Sequence, residues 1–187
     1  MNKLFAGVAL AAAVFASAAG WAGVDIGPAV GTKIPTLTAL DKTGAPKTYA
    51  DISGKNGTVL YFVRSAKWCP FCQAQMIDIN TIKDKLAERG YNMAALSYDA
   101  PEVLANFATL RSINYTLLSD QKSAMIDAFN IRDPQYPEGH MAHGVPKPAI
   151  FIIDAKGVVQ AKLAEDGYKV RPTSEAVLEA VDGLKKK

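Results

Sequence analysis

The sequence predicts an α/β fold in which a central mixed β-sheet carries helices on both faces. Three observations predict it. Strand-like and helix-like segments alternate along nearly the whole chain. Two of the strand-like runs, residues 57–64 and 149–153, are almost continuously apolar, as expected for strands covered on both sides. The order of segments is a strand-helix-strand half, a connecting helix, and a strand-strand-helix half, with no internal repeat and no second composition regime to suggest another domain.

Residues 36–50 read as a hairpin, with Lys42, Thr43, Gly44, Ala45 and Pro46 as its turn. Residues 57–64 form the first buried strand. Residues 70–89 read as one helix, because Ile79, Ile82 and Leu86 recur at spacings of three and four, and Gly90 stops it. Residues 91–97 are a second buried strand. Residues 101–112 form a helix with Val103, Leu104, Phe107 and Leu110 expected inward. A short strand at 115–118 and a short helix at 121–129 follow. Residues 149–153 and 158–163 make a hairpin across Asp154, Ala155, Lys156 and Gly157, and Thr173 caps a last helix reaching about Leu184.

The first 22 residues read as a secretory signal peptide. Lys3 is the positive start, residues 4–15 are apolar, and small residues follow, with cleavage after Ala22 or after Ala19. An uncleaved membrane anchor is the competing reading, although the apolar run is short for a bilayer. The style of the leader suggests export in a Gram-negative bacterium, hence a periplasmic location where disulfides persist. About 165 residues are left from position 23 to 187, one domain's worth. The formal charge of +3 drops to +2 without Lys3, too little to argue for nucleic acid or an anionic membrane. The terminal lysines 185–187 are explained by a solvated helix end.

The chemistry concentrates in Trp68-Cys69-Pro70-Phe71-Cys72, which holds the only two cysteines of the chain at a strand-to-helix junction. The first N–H groups of a helix lack internal partners and carry partial positive charge, so a thiolate there is stabilised. Cys69 at the helix start is the expected nucleophile and the more exposed thiol; Cys72, one turn inside, is the resolving partner. Pro70 suits the first turn, where its missing N–H costs nothing. Other readings compete. A structural zinc site needs four ligands, and only His140 and His143 could join the pair. A static disulfide closing so short a loop would remove little chain entropy. A copper-handling module using Cys69, Cys72, His140 and His143 is the alternative of a different class.

Four stretches carry a resemblance to a known family: residues 62–72 (Phe-Val-Arg-Ser-Ala-Lys-Trp-Cys-Pro-Phe-Cys), Leu117-Leu118-Ser119-Asp120, residues 148–157 (Pro-Ala-Ile-Phe-Ile-Ile-Asp-Ala-Lys-Gly), and Gly167-Tyr168-Lys169-Val170-Arg171-Pro172. Over residues 28–184 the chain resembles the thioredoxin-fold redoxins, in the peroxiredoxin-like branch grouped with alkyl hydroperoxide reductase and thiol-specific antioxidant proteins. The resemblance implies a thioredoxin-like fold with an N-terminal hairpin extension, a redox cycle through a Cys69–Cys72 disulfide, and no cofactor. It implies a cis Lys147-Pro148 bond facing the dithiol, with Pro146 as the competing proline. It also implies a disulfide-bearing protein or small molecule as substrate, or a hydroperoxide, and a thiol reductant as partner.

One departure bears on the reaction. Peroxidases of this superfamily carry a threonine or serine three residues before the attacking cysteine and a proline further upstream. Here those places hold Ala66 and Phe62. Thiol–disulfide exchange is therefore the expected activity and peroxide reduction the alternative. Arg64 and the sequence-remote Arg171 are the available cations. Trp68 and Pro148 are the candidate substrate-contacting residues, Trp68 being equally suited to covering the helix end. Asp78 and Asp99 are expected to be solvated.

Overall fold

The computed structural model describes residues 24–184. The expected signal peptide, residues 1–22, lies outside them. The elements run β1 (Thr38–Asp41), β2 (Pro46–Thr48), α1 (Tyr49–Ile52), β3 (Gly57–Phe62), α2 (Pro70–Asn80), α3 (Lys83–Glu88), β4 (Tyr91–Ser97), α4 (Pro101–Arg111), β5 (Thr116–Ser119), α5 (Ala124–Ala128), β6 (Ala149–Asp154), β7 (Val159–Leu163) and α6 (Ser174–Leu184). They build one seven-stranded sheet in the order β2-β1-β5-β4-β3-β6-β7. The β3–β4 and β4–β5 pairs are parallel, the rest antiparallel, so the sheet is mixed as expected. The N-terminal hairpin joins through Leu40 opposite Ser119.

All six residues of β3 are buried, and their alternation sends side chains into two cores. Val59 and Tyr61 meet Cys72, Met76 and Ile79 of α2, Phe107 of α4 and Val177 and Val181 of α6. Leu60 and Phe62 meet Ile126 of α5, Phe129 and Phe151 on the other face. There Phe62 stands with its ring centroid 4.7 Å from Phe129 and 5.7 Å from Phe151. A strand that is apolar on both faces has no other favourable place than the middle of such a sandwich, because each side chain of this size is stabilised by roughly 1.5–3 kcal/mol on burial.

Two expectations about helices are corrected. The segment 70–89 is two helices, α2 and α3, broken at Thr81 and Ile82. Thr81 Oγ1 donates to the Asp78 carbonyl at 2.6 Å, while the Asn80 amide donates to the Ser112 carbonyl and its Oδ1 accepts from the Asn114 N–H. Side chains that bond backbone in this way compete with helix continuation. Gly90 stops α3 with φ +80°. In α4 the inward stripe is Leu104, Phe107 and Ala108; Leu110 is 70 % exposed. Three residues beyond Phe107 and six beyond Leu104, it has rotated off the face that Leu104 centres.

The turn of the first hairpin is held by one carboxylate. Asp41 accepts from the Thr43 hydroxyl at 2.6 Å and from the Thr43 and Ala45 N–H groups, with Lys47 Nζ at 3.4 Å. The Thr43 hydroxyl above all pulls its pKa down to about 2. A carboxylate held below its unfolded value stabilises the fold above that unfolded value and loses the contribution as pH falls toward about 2. Acid titration followed by carboxyl carbon NMR should find Asp41 ionising lower than an ordinary aspartate, and Asp41→Asn should flatten the acid limb of the stability curve between about pH 4 and pH 2. An Asp41 that titrates normally would reject this account.

Candidate redox site

The dithiol lies where β3 feeds α2. Cys69 is the N-cap of α2, in an extended conformation, and Pro70 occupies the first helical turn. The N–H of Cys72 donates to Cys69 Sγ at 3.2 Å. Cys69 and Cys72 form a disulfide with their Cα atoms 5.2 Å apart, so the helix closes the bond across its first turn without unwinding. Both cysteines are buried, at 2 % and 0 % exposure. In this oxidised form Cys69 does not stand out as the exposed sulfur, and neither sulfur is open to a large substrate.

A carboxyl group fixes the loop ahead of the dithiol. Asp99 is buried, contrary to the solvated role expected for it. It accepts from the Ser65 hydroxyl at 2.7 Å, from the Ala66 N–H at 2.6 Å and from the Ser97 hydroxyl at 2.9 Å. Ser65 Oγ in turn accepts from the Lys67 and Trp68 N–H groups. Gln73, on α2, donates to the Ala66 and Lys67 carbonyls. The carboxyl thus meets polar partners in place of water, which is the condition for its burial. Asp78, the other aspartate expected to be solvated, is exposed and accepts from the Ser174 hydroxyl at 2.6 Å.

Two arginines far apart in sequence meet at the dithiol. Arg64 is 3 % exposed and lies over three aromatic rings, with its guanidinium carbon 4.3 Å from the Tyr168 centroid, 4.8 Å from Tyr136 and 5.3 Å from Trp68. Arg171 reaches in from the segment after β7, and its Nη2 points to Cys72 Sγ at 3.7 Å. Burial, and then the neighbouring Arg64 charge, brings its pKa down to about 10, which leaves it a cation at neutral pH. The Nε of each arginine is buried without a hydrogen-bond partner among the described residues. The contact of Arg171 with Cys72 was not expected from its distance along the chain; the Tyr168-Lys169-Val170-Arg171 motif was the only signal.

Trp68 is half-buried and donates from Nε1 to the Tyr98 hydroxyl at 2.8 Å, which donates to the Met141 carbonyl at 3.2 Å. It therefore both covers the helix end and ties the 139–144 loop to it. Pro148 requires a correction. No peptide bond among the described residues is cis, so Lys147-Pro148 is trans. Pro146 pairs with Arg132 in an antiparallel bridge and the Lys147 N–H donates to the Ile131 carbonyl, so the chain enters β6 extended and needs no turn there. Trans is the lower-energy state of such a bond by about 0.5–1 kcal/mol. Pro148 is buried and lines, with Tyr168, Asp133 and Gln135, a small cleft of about 100 Å³.

The copper reading is also corrected. The Nδ1 of His140 accepts from the Ala142 N–H, and His143 lies between Arg132 and the Tyr136 carbonyl. Among the described residues no three of histidine, cysteine, aspartate or glutamate are grouped so as to hold a metal ion. The sulfurs are engaged with each other in the disulfide. A cleft of about 490 Å³, lined by Lys83, Tyr91, Asn114 and Thr116, lies at the start of β4 and β5, the opposite end of the strands from the dithiol.

Three comparisons bear on this arrangement. Residues 30–162 match the model of the AhpC/TSA family. The chain is 26% identical over 144 residues to the peroxiredoxin Bcp of Escherichia coli K12, which covers 77% of this chain and 89% of that protein. It is 25% identical over 141 residues to the thiol-disulfide oxidoreductase ResA of Bacillus cereus, covering 75% of this chain and 72% of the other. In fold it is similar to the crystal structure of peroxidoxin BcpB from Mycobacterium tuberculosis, with a TM-score of 0.69 at 22% identity, covering 84% of this chain and 96% of that one.

Asp99→Asn tests the loop anchor. An amide has only one acceptor oxygen and sets an N–H donor against a donor, so the variant should lose about 1.5–3 kcal/mol in urea unfolding and alkylate Cys69 with altered rate in the reduced form. Unchanged stability and an unchanged alkylation rate would show that Asp99 does not hold the loop.

Proposed function

The chain belongs to the AhpC/TSA family and is a thiol-dependent oxidoreductase, and from that premise we propose that it is a peroxiredoxin-type thiol peroxidase working through Cys69 and Cys72. The observation that carries this reading is the disulfide between the helix-capping Cys69 and the adjacent Cys72, beside two cations that have no acidic partner among the described residues. In the proposed reaction the Cys69 thiolate attacks the terminal peroxide oxygen. The O–O bond breaks, the alkoxide takes a proton and leaves as alcohol, and Cys69 becomes a sulfenic acid. The Cys72 thiolate then attacks that sulfur, hydroxide leaves with a proton as water, and the disulfide forms. A dithiol partner reduces it again.

Ala66 offers no hydroxyl, and its N–H is already given to Asp99. Positive charge for the peroxide step would come from Arg64 and Arg171, in a buried site where such charge acts strongly. A second reading, thiol–disulfide exchange, is favoured by the absence of that hydroxyl and by the likeness to the ResA protein. In either case we place the action outside the cytoplasm, in the periplasm, on the strength of Lys3 and the apolar residues 4–15.

Stopped-flow Trp fluorescence, with Trp68 beside the dithiol, distinguishes the readings. Hydrogen peroxide or an alkyl hydroperoxide should oxidise the reduced protein to the Cys69–Cys72 disulfide faster than a small disulfide does at equal concentration. The opposite order would give the site to exchange chemistry. Roles of the two sulfurs are separable as well. Cys72→Ser should accumulate sulfenic acid or mixed disulfide at Cys69 under mass spectrometry, whereas Cys69→Ser should accumulate neither. Equal accumulation by both would reject the assignment of Cys69 as nucleophile.

A further inference from the structure

Arg64 is buried and Arg171 beside it half-buried, an unusual placement for two neighbouring charges. Neither Arg64 nor Arg171 is in an ion pair among the described residues. Of the carboxyl groups nearby, Asp99 bonds Ser65, Ala66 and Ser97, Asp78 bonds Ser174, Asp133 accepts from the Gln135 N–H, and Glu165 and Asp166 line the cleft beside Tyr168 without an ion pair to either arginine. A buried guanidinium without a counterion is costly, and a second cation beside it adds to the cost. The aromatic rings of Trp68, Tyr136 and Tyr168 offset part of this for Arg64. For Arg171 the described polar contacts are the Val170 carbonyl and Cys72 Sγ. In the disulfide that sulfur is neutral. In the reduced protein it can be an anion.

We propose that Arg171 is a catalytic residue for the second sulfur: it stabilises the Cys72 thiolate, while Arg64, held by its three rings, is the positioning residue that keeps the pocket positive and leaves the thiolate as its counterion. The assignment rests on the reading of Cys69 as the outer, attacked sulfur. When a reductant thiolate attacks Cys69 Sγ, a new S–S bond forms there and the Cys69–Cys72 bond breaks. Its electron pair goes to Cys72 Sγ, which leaves as a thiolate against Arg171 with no proton transfer. A second thiol of a dithiol reductant then displaces Cys69 and completes the reduction. A leaving thiol that is more acidic leaves faster, so Arg171 speeds re-reduction. In the opposite half of the cycle the same contact keeps Cys72 ionised and ready to attack an oxidised Cys69.

The geometry divides the labour between the sulfurs. Cys69 takes its stabilisation from the start of α2, and Cys72 takes its from a segment after β7 that is distant in sequence. Tyr168 joins the two ends of that arrangement. Its ring packs edge-on against Phe71, between the cysteines, at 6.0 Å, and its face receives Arg64. The segment carrying Tyr168 and Arg171 therefore holds Arg171 against the sulfur that must leave and Arg64 against the ring of Tyr168.

The test uses the full chain and does not require a peroxide. In Cys69→Ser, where Cys72 is the sole thiol, ultraviolet thiolate absorbance should show Cys72 ionising below an ordinary free thiol. Adding Arg171→Met should lower the thiolate-to-thiol ratio at a given pH about tenfold, Arg171→Lys should restore it to within about threefold, and Arg64→Met should cause a smaller fall. In the protein with both cysteines, Arg171→Met should slow reduction of the disulfide by dithiothreitol about tenfold. A Cys72 that ionises like a free thiol in Cys69→Ser alone would overturn the proposal even if the Arg171→Met protein failed to fold. So would a ratio and a reduction rate that Arg171→Met leaves unchanged. Failure of the peroxide reading would show instead as absent peroxide oxidation, with these thiol measurements unaffected.

Discussion

The structure around the dithiol depends on one buried carboxyl group. Asp99 stands two residues beyond the end of β4, and it bonds the Ser65 hydroxyl and the Ala66 N–H of the neighbouring β3–α2 loop. Ser65 passes the anchoring on to Lys67 and Trp68, and Gln73 closes the loop from the helix side. A loop that carries a nucleophile must present it at one angle, and loops left to themselves do not. Here the backbone of residues 65–68 is bonded from both sides before Cys69 begins α2. The Asp99 carbonyl also accepts from Ser119 at the end of β5, so the anchor is itself fixed across adjacent parallel strands.

From that anchor the electrostatics follow in order. The loop places Arg64 under Trp68, and the segments carrying Tyr136 and Tyr168 close over its guanidinium. An arginine suits this place better than a lysine would, because its planar, weakly hydrated cation stacks on rings. Arg171 enters beside it and meets Cys72. The two halves of the disulfide thus lie in different fields: a helix N-terminus for Cys69 and guanidinium charge for Cys72. Burial of both sulfurs makes each field stronger than it would be in water.

The family's threonine is missing at Ala66, and the same position shows what replaced its structural part. A hydroxyl at that point would also have needed a partner; here the preceding residue, Ser65, supplies a hydroxyl that faces Asp99 and caps the backbone of the loop. Anchoring and cationic charge, which one short motif can combine, are in this chain assigned to Asp99 with Ser65 and to Arg64 with Arg171. The Lys147-Pro148 bond is trans, and the chain before it is paired with residues 131–133.

Much of the fold was legible in the sequence because it depends on local pattern. The strand 91–97 shows both its ends in the apolar pattern, the Cys69 cap and Pro70 start of α2 follow from helix-end chemistry, and Thr173 caps α6 by accepting from the Ala176 N–H, as its residue type suggests. The disulfide pairing followed from there being two cysteines one helical turn apart. The break at Thr81 does not show in the periodicity because Asn80 and Thr81 interrupt the helix through bonds to Ser112, Asn114 and Asp78, two of which belong to another part of the chain. The burial of Asp99 is illegible in the sequence for the same reason: its partners Ser65 and Ala66 lie more than thirty residues away, and a carboxylate without a visible partner reads as solvated. Arg171 is the clearest case. No spacing rule connects it to Cys72 across an intervening sequence separation of 99, and only the packing of the segment after β7 against α2 brings the charge to the sulfur. The sequence by itself determined which atoms can react, since that depends on residue type and local geometry. The tertiary structure decided which charges those atoms feel, since electrostatic energy depends on distance in space and on the exclusion of water.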